Sequence, residues 1–314
     1  MATKISFLNL KGGVGKTSII VNVAACMAYA GKKVLVVDLD AQSNSSIWLM
    51  RLDRWNELNR TPEKFLTHYF ADLDTTLKSL IQPSPVRLPT GEAALPTLDL
   101  IPAAFSLMDL EHEIVNPDGR PFYCRFREEI QSLENQYDYI LFDCPPNFLH
   151  APKAALFTSD HIVVPSNPDA LSIIGFHLLV DKCSRFELES ERHTQEMDAP
   201  RAQILGVVLN AIKQGANIDV PLERFQAQID RFKEQGKVAK QAIIFPEQIR
   251  HSVTVGRAVM QGLPMVLLTK KEGSQTVAED YIHIAKRILS STTSTDSSAN
   301  TAPAEEAVAE GKAT

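Results

Sequence analysis

Residues 11–17 read Lys-Gly-Gly-Val-Gly-Lys-Thr, directly between a short β-branched and aromatic run (Lys4–Asn9) and an amphipathic segment (Lys16–Ala30). A loop of this kind, closing a strand and opening a helix, turns successive backbone N–H groups toward one point. At a helix N-terminus that point binds phosphate oxygens. Gly12, Gly13 and Gly15 stand where a Cβ would crowd the phosphates, and Val14 and Ser18 complete the loop. Lys16 is placed to reach the β- and γ-phosphates of a nucleotide, and the Thr17 hydroxyl to ligate Mg²⁺. The alternative is an ordinary glycine-rich turn. The complete Gly-Lys-Thr ending, with a strand before it and a helix after, argues against that.

The segments that follow alternate between strand and helix. Strands are expected at Val34–Val37, Leu98–Ile101, Tyr139–Phe142, His161–Val164, Ile204–Leu209 and Ala242–Phe245. Helices are expected at Phe122–Asn135, Pro152–Thr158, Ala170–Glu189, Val220–Glu234 and Ser274–Leu289. Strands that are apolar on both faces belong in a parallel sheet covered by helices. The expected fold is therefore α/β, a doubly wound and mostly parallel sheet with right-handed crossovers. One domain is expected over residues 1–289, interrupted by an insertion at Asp53–Pro96 that caps a sheet edge or forms a contact surface. Helices are expected there at Pro62–Phe70 and Leu73–Ile81. Glu187–Pro200 reads as a charged loop, and residues 290–314, rich in Ser, Thr and Ala, as a disordered tail.

Composition excludes several classes. No run approaches the roughly 20 apolar residues that span a bilayer, and the N-terminus lacks a signal-peptide layout, so the expected location is the cytosol. Cys26, Cys124, Cys144 and Cys183 are scattered without a C-x-x-C pair, which disfavours disulfides, zinc and iron–sulfur chemistry. The net charge of −6 disfavours nucleic acid at first sight. Its distribution differs: residues 201–289 carry 13 Lys/Arg against 8 Asp/Glu, a basic third able to touch phosphates.

Two further acidic stretches flank the loop's expected position: Val36-Val37-Asp38-Leu39-Asp40 and Ile140-Leu141-Phe142-Asp143. Carboxylates at the C-terminal ends of parallel strands sit where ligands bind in an open α/β sheet. Each alone is weak; the loop and both acidic ends in this order are strong.

A standard phosphate loop needs only its second lysine, yet Lys11 begins this one. The pattern resembles the deviant Walker A motif of the ParA/MinD family, and the resemblance extends to about Leu289. It implies an ATP hydrolase that dimerises when ATP-bound, with Lys11 crossing the interface to the partner's nucleotide. By the same resemblance Asp40 orients the attacking water, Asp38 lies near the magnesium shell and Asp143 holds Mg²⁺ through a water. Asn210 would hydrogen-bond adenine, for which an amide has both a donor and an acceptor, with Pro246 packed beside the ring. A turn-capping amide is the plainer reading of Asn210.

Leu98-Asp99-Leu100-Ile101-Pro102 and Phe245-Pro246-Glu247-Gln248-Ile249-Arg250 resemble segments of the ParA branch, whose arginine contacts DNA backbone. Asp169 stands where that branch carries a glutamate. DNA-binding candidates are Arg250, Lys286 and Arg287, with Arg257, Lys270 and Lys271 behind them. The branch implies nonspecific DNA binding, nucleoid association, and an adaptor protein that stimulates hydrolysis while a cargo is partitioned or positioned. The Ser-, Thr- and Glu-containing end lacks a basic amphipathic helix, against membrane attachment by that route. A scaffold ATPase that positions a surface machine without DNA would share the same site, and so would a small-molecule synthetase.

Overall fold

The computed structural model describes residues 1–110, 119–268 and 275–298. Strand β1 (Thr3–Phe7) passes through the glycine loop into α1 (Lys16–Tyr29), and β2 (Val34–Asp38) follows. Helices α2 (Asn44–Met50), α3 (Leu52–Leu58), α4 (Leu66–Ala71) and α5 (Leu77–Leu80) lead to β3 (Gln82–Pro83) and β4 (Leu98–Ile101). Beyond α6 (Leu107–Leu110) and α7 (Phe122–Leu133) come β5 (Tyr139–Asp143), α8 (His150–Thr158), β6 (His161–Ser166) and α9 (Ala170–Glu196). The chain continues with β7 (Gln203–Leu209), α10 (Asp219–Glu234), β8 (Ile243–Ile244), α11 (Val253–Gln261) and α12 (Gln275–Ser298).

The eight strands form one sheet in the order β3-β4-β2-β5-β1-β6-β7-β8, parallel throughout except for β3. Chain order reverses direction around β1, so the loop after it opens at a topological switch point, where open α/β sheets bind ligands. Alternation along the strands divides the core. Ile5, Phe7, Val34, Val36 and Leu141 pack on the face shared with α1 and α12. Leu35, Val37, Ile140 and Phe142 pack on the other face, with Phe126 of α7, Phe176 of α9 and Phe225 of α10. Lys4 breaks the apolar pattern of β1. Its ammonium is buried on Glu134 at 2.7 Å and lies 3.3 Å from Asp160, closing the sheet end opposite the loop.

Four expectations need correction. Glu187–Pro200 is not a loop: α9 runs to Glu196, with Arg192 on Glu196 and Gln195 on Glu191 one turn apart. Charge in this stretch is helix-surface charge, and no Gly or Pro interrupts it before Pro200. The insertion's helices are shorter than expected, because Phe65 and Thr76 are extended. Phe65 is fully buried against Trp55, with ring centroids 5.8 Å apart, a contact that fixes where α4 can begin. The C-terminal helix does not stop at Leu289 but reaches Ser298, where a disordered tail was expected to have begun. The buried Thr292 hydroxyl lies 3.2 Å from that of Tyr139 on β5, tying the extra turns to the sheet. Residues 299–314, and the candidate cations Lys270 and Lys271, lie outside the described residues. Helices α2, α3, α6 and α11 were not anticipated; each is short and lacks a long apolar period.

Phe126 is fully buried and meets Tyr69, Phe122 and Phe142 through its ring. Phe126→Ala is expected to destabilise the chain by about 3–5 kcal/mol, read as a shifted urea midpoint with an unchanged slope.

Candidate nucleotide site

The loop is pinned from below by Asn9. Its buried amide donates to the Pro165 carbonyl at 2.6 Å, and its Oδ1 accepts the Lys11 N–H at 2.9 Å. The end of β6 therefore sets where the loop begins. Gly13 and Gly15 have φ of +73° and +87°, left-handed values that a side chain resists. Gly15 is needed for a second reason. A Cβ there would stand 2.0 Å from the Asn210 Nδ2. Asn210 directly follows β7 and donates to the Val14 carbonyl at 3.0 Å. Thus the amide expected at adenine lies against the loop backbone, its donor engaged there. Ser18 donates to the Gly15 carbonyl at 2.9 Å, within the first turn of α1. Pro246 is exposed in the segment after β8, which runs beside the end of β7 through the Ile249 N–H to Leu209 carbonyl bond.

Lys16, Asp40 and Asp143 come together. Lys16 is 7% exposed, and burial lowers its pKa while Asp143 and Asp40 oppose that shift. Asp143 is fully buried. Burial pushes its carboxyl up to about 6; Asp40 adds to the shift, while Ser45, Lys16 and Thr17 work against it. One oxygen, Oδ2, accepts the Thr17 hydroxyl at 3.0 Å and the Ser45 hydroxyl. The other, Oδ1, is buried with no partner. An orphaned carboxylate oxygen beside a loop threonine suits a hard cation, so the donor set fits Mg²⁺. Among the described residues no cluster of three metal-ligating side chains occurs. Mg²⁺ characteristically takes one or two protein carboxylates and fills its octahedron with waters and substrate phosphates.

Asp38 has another task. Its Oδ2 accepts the Ser46 N–H and hydroxyl at 2.9 and 2.7 Å, and its Oδ1 accepts the Asp40 N–H. Both oxygens are committed, and burial, then Asp143, raise its pKa well above the carboxylate range. Ser46 also accepts the Ala103 N–H at 2.9 Å, so Asp38 knots β2 to α2 and to the turn after β4. Ser45 and Ser46 escaped the sequence reading. Their signal was the polar run Gln42–Ser46 immediately after Asp40, which opens α2 beneath the carboxylates.

Lys11 points elsewhere. Its ammonium is 2.8 and 2.7 Å from the two oxygens of Asp169 and 3.1 Å from the Ser172 hydroxyl, all on the start of α9. The loop's two lysines thus serve separate places.

Residues 2–196 match a family model described as an AAA domain. The chain belongs to the ParA/MinD family of P-loop ATPases. It is 28% identical over 290 residues to the sporulation initiation inhibitor protein Soj of Bacillus subtilis, covering 92% of this chain and 98% of Soj. Against the chromosome partitioning protein ParA of Myxococcus xanthus it is 25% identical over 295 residues, covering 91% and 87%. Among solved structures, apo McdA from Cyanothece superimposes with a TM-score of 0.66 at 18% identity, covering 92% and 100%. The cell division ATPase MinD of Pyrococcus furiosus gives 0.62 at 20%, covering 92% and 99%. These two likenesses show the same fold. Membership of a P-loop ATPase family supports nucleotide binding by this chain.

The raised carboxyl of Asp143 makes a linkage prediction. A carboxyl whose folded pKa lies above its unfolded value of 3.8 holds its proton better when folded. Its stabilising effect is present below that value and is lost as pH rises through about 6. Asp143→Asn removes the charge, so its stability advantage over the nucleotide-free wild type should grow across that window and level off above it. Urea unfolding of both proteins at a series of pH values measures this, and a constant difference would sink the assignment.

Proposed function

We propose that the chain is a ParA-type positioning ATPase, whose ATP-bound form is a sandwich dimer that binds duplex DNA without sequence preference. The observation that carries this reading is the division of labour between the lysines. Lys16 is buried beside Asp40 and Asp143, whereas Lys11 is turned toward the start of α9, its ammonium on Asp169. Similarity to the chromosome partitioning protein ParA of Myxococcus xanthus, over 91% of this chain and 87% of that one, supports the partition branch.

Loop N–H groups and Lys16 hold the β- and γ-phosphates, and Asp40 orients a water toward the γ-phosphorus. Asp143 and Thr17 would hold Mg²⁺, which neutralises charge on the phosphate oxygens. The protein mainly positions groups and stabilises charge, as phosphoryl transfer requires. Beside the loop, Leu171, Ile174 and Leu178 are 68%, 55% and 51% exposed on successive turns of α9. This stripe is apolar surface for a second subunit to cover.

The DNA face is reassigned among its candidates. Arg250 is paired through Nε and Nη2 with Asp280 at 2.8 and 2.7 Å, and Arg287 reaches Glu247 at 2.7 Å. Their charge is largely balanced within the chain. Arg257 and Lys286 are exposed, with no carboxylate partner among the described residues. Release of counterions from phosphate contacts falls to such free cations. Hydrolysis would be stimulated by an adaptor protein carrying the cargo.

Two outcomes test the reading. Asp40→Ala should lower ATP turnover by about 100-fold or more while Mg-ATP still yields a dimer in analytical ultracentrifugation; wild-type turnover would remove Asp40 from the mechanism. With ATP, wild-type protein should retard duplex DNA of any sequence, less so as salt rises. Arg257→Glu with Lys286→Glu should abolish that shift. Arg250→Ala is a poor probe, because it strands Asp280, 7% exposed, without its counter-ion. An ATP dimer with no DNA shift would favour a scaffold ATPase instead.

A further inference from the structure

The inward face of α9 changes character along its length. Near its start Phe176, Leu179 and Val180 fill the core. Further on, Ser190, 3% exposed, and Thr194 one turn later bring small side chains to the face turned toward β6 and β7. Small residues also stand across from them, at Ala202 and Ala239. What they leave is a cavity of about 220 Å³. Leu156 and Phe157 of α8, Phe186 of α9 and Ile204 of β7 form its apolar wall, each no more than 5% exposed. Ile204 is the second residue of β7, so the cavity lies at the N-terminal ends of the parallel strands, opposite the glycine loop. We propose that it is a second ligand site, taking a small, flat, uncharged molecule with one N–H or O–H donor.

Size, charge and hydrogen bonding each narrow the occupant. An apolar cavity of roughly 150 Å³ holds a benzene ring, so this one takes a single aromatic ring or two fused rings. Interiors are close-packed, and a void of this size costs stability unless something fills it. Charge is disfavoured by the pairing at the rim. Arg201 meets Glu187 at 2.9 Å and Glu191 at 2.8 Å, and Lys237 meets Asp181 at 2.7 Å. The charged residues that line the cavity, among the described residues, are thus already matched. An ionised ligand would be buried without a counter-ion or would have to break one of these pairs. The donor requirement comes from the hydroxyls. Ser190 donates to the Phe186 carbonyl at 2.8 Å, and Thr194 to the Ser190 carbonyl at 3.1 Å. A hydroxyl whose proton is committed keeps its lone pairs, so both residues offer acceptors. The Arg201–Glu187 pair bridges the rim from the turn before β7 to α9, which narrows the way in and favours a free molecule over a side chain of another protein.

Indole, a flat fused ring with one N–H, is the probe. Titrated into the full-length chain, it should bind saturably in isothermal calorimetry, with a Kd on the order of 1 mM or tighter. Saturating Mg-ADP should leave that midpoint unchanged, because the glycine loop lies at the other end of the strands. N-methylindole, which lacks the donor, should bind about five-fold more weakly, the scale of one hydrogen bond. Ser190→Ala combined with Thr194→Val keeps the space and removes both acceptors, so the two probes should then bind alike. Ala202→Leu, which fills the cavity from the side of β7, should abolish binding with an unchanged or raised melting temperature. N-acetyltryptophanamide carries the same ring on a peptide backbone and should bind at least about ten-fold more weakly than indole. No saturable binding up to the solubility limit of indole, competition by Mg-ADP, or full binding to a folded Ala202→Leu would each overturn the proposal. Equal binding of N-acetyltryptophanamide would overturn the free small molecule as the occupant.

Discussion

Asp38, Asp40 and Asp143 crowd the C-terminal ends of two neighbouring parallel strands, and like charges repel strongly where water is excluded. The local fold is arranged around that repulsion. Asp38 is satisfied by Ser46 and the Asp40 N–H, which fixes α2 and the turn after β4. Asp143 receives hydroxyls from Thr17 and Ser45, and Lys16 supplies the nearby positive charge. One oxygen of Asp143 is left over. Repulsion of this sort is relieved by what binds there, so a cation taken up at the candidate site would lower the cost of gathering these carboxylates.

Much of the fold was legible because the strands are buried on both faces. Val34–Asp38 and Tyr139–Asp143 are buried at every position, and continuous apolar runs of that length mean central parallel strands. The glycine loop was equally readable, since its residue types answer to backbone geometry alone. What stayed hidden is tertiary. The polar run Gln42–Ser46 does not say that two of its hydroxyls will face carboxylates from two different strands. Nor does the charge of Arg250 disclose that Asp280, thirty residues later, balances it. The Glu187–Glu196 stretch misled for a related reason: a charged run is loop or helix surface depending on whether i,i+4 partners exist in register.

The same pairing alters how the basic C-terminal third should be weighed. Its excess of Lys/Arg over Asp/Glu counts every cation equally, yet geometry does not. Arg250 and Arg287 stitch α12 to the segment after β8 through Asp280 and Glu247, so they act first as structural pins. Exposed Arg257 on α11 and Lys286 on α12 are among the cations of the described residues that remain to meet an outside anion. A bare count of cations therefore overstates how many of them can meet an outside anion, although both pairs lie inside residues 201–289 and leave the net excess unchanged.

The sheet's two ends carry a consequence of their own. Its outer strands, Gln82–Pro83 and Ile243–Ile244, are two residues each, and the first contains a proline with no N–H to offer. Long bare edges invite strand addition from other chains, which leads to aggregates that no small molecule undoes. Here that route is nearly closed. Copies of the chain are left to meet through side chains, in contacts that form and dissolve with charge and shape, and the backbone ladder stays private to each molecule.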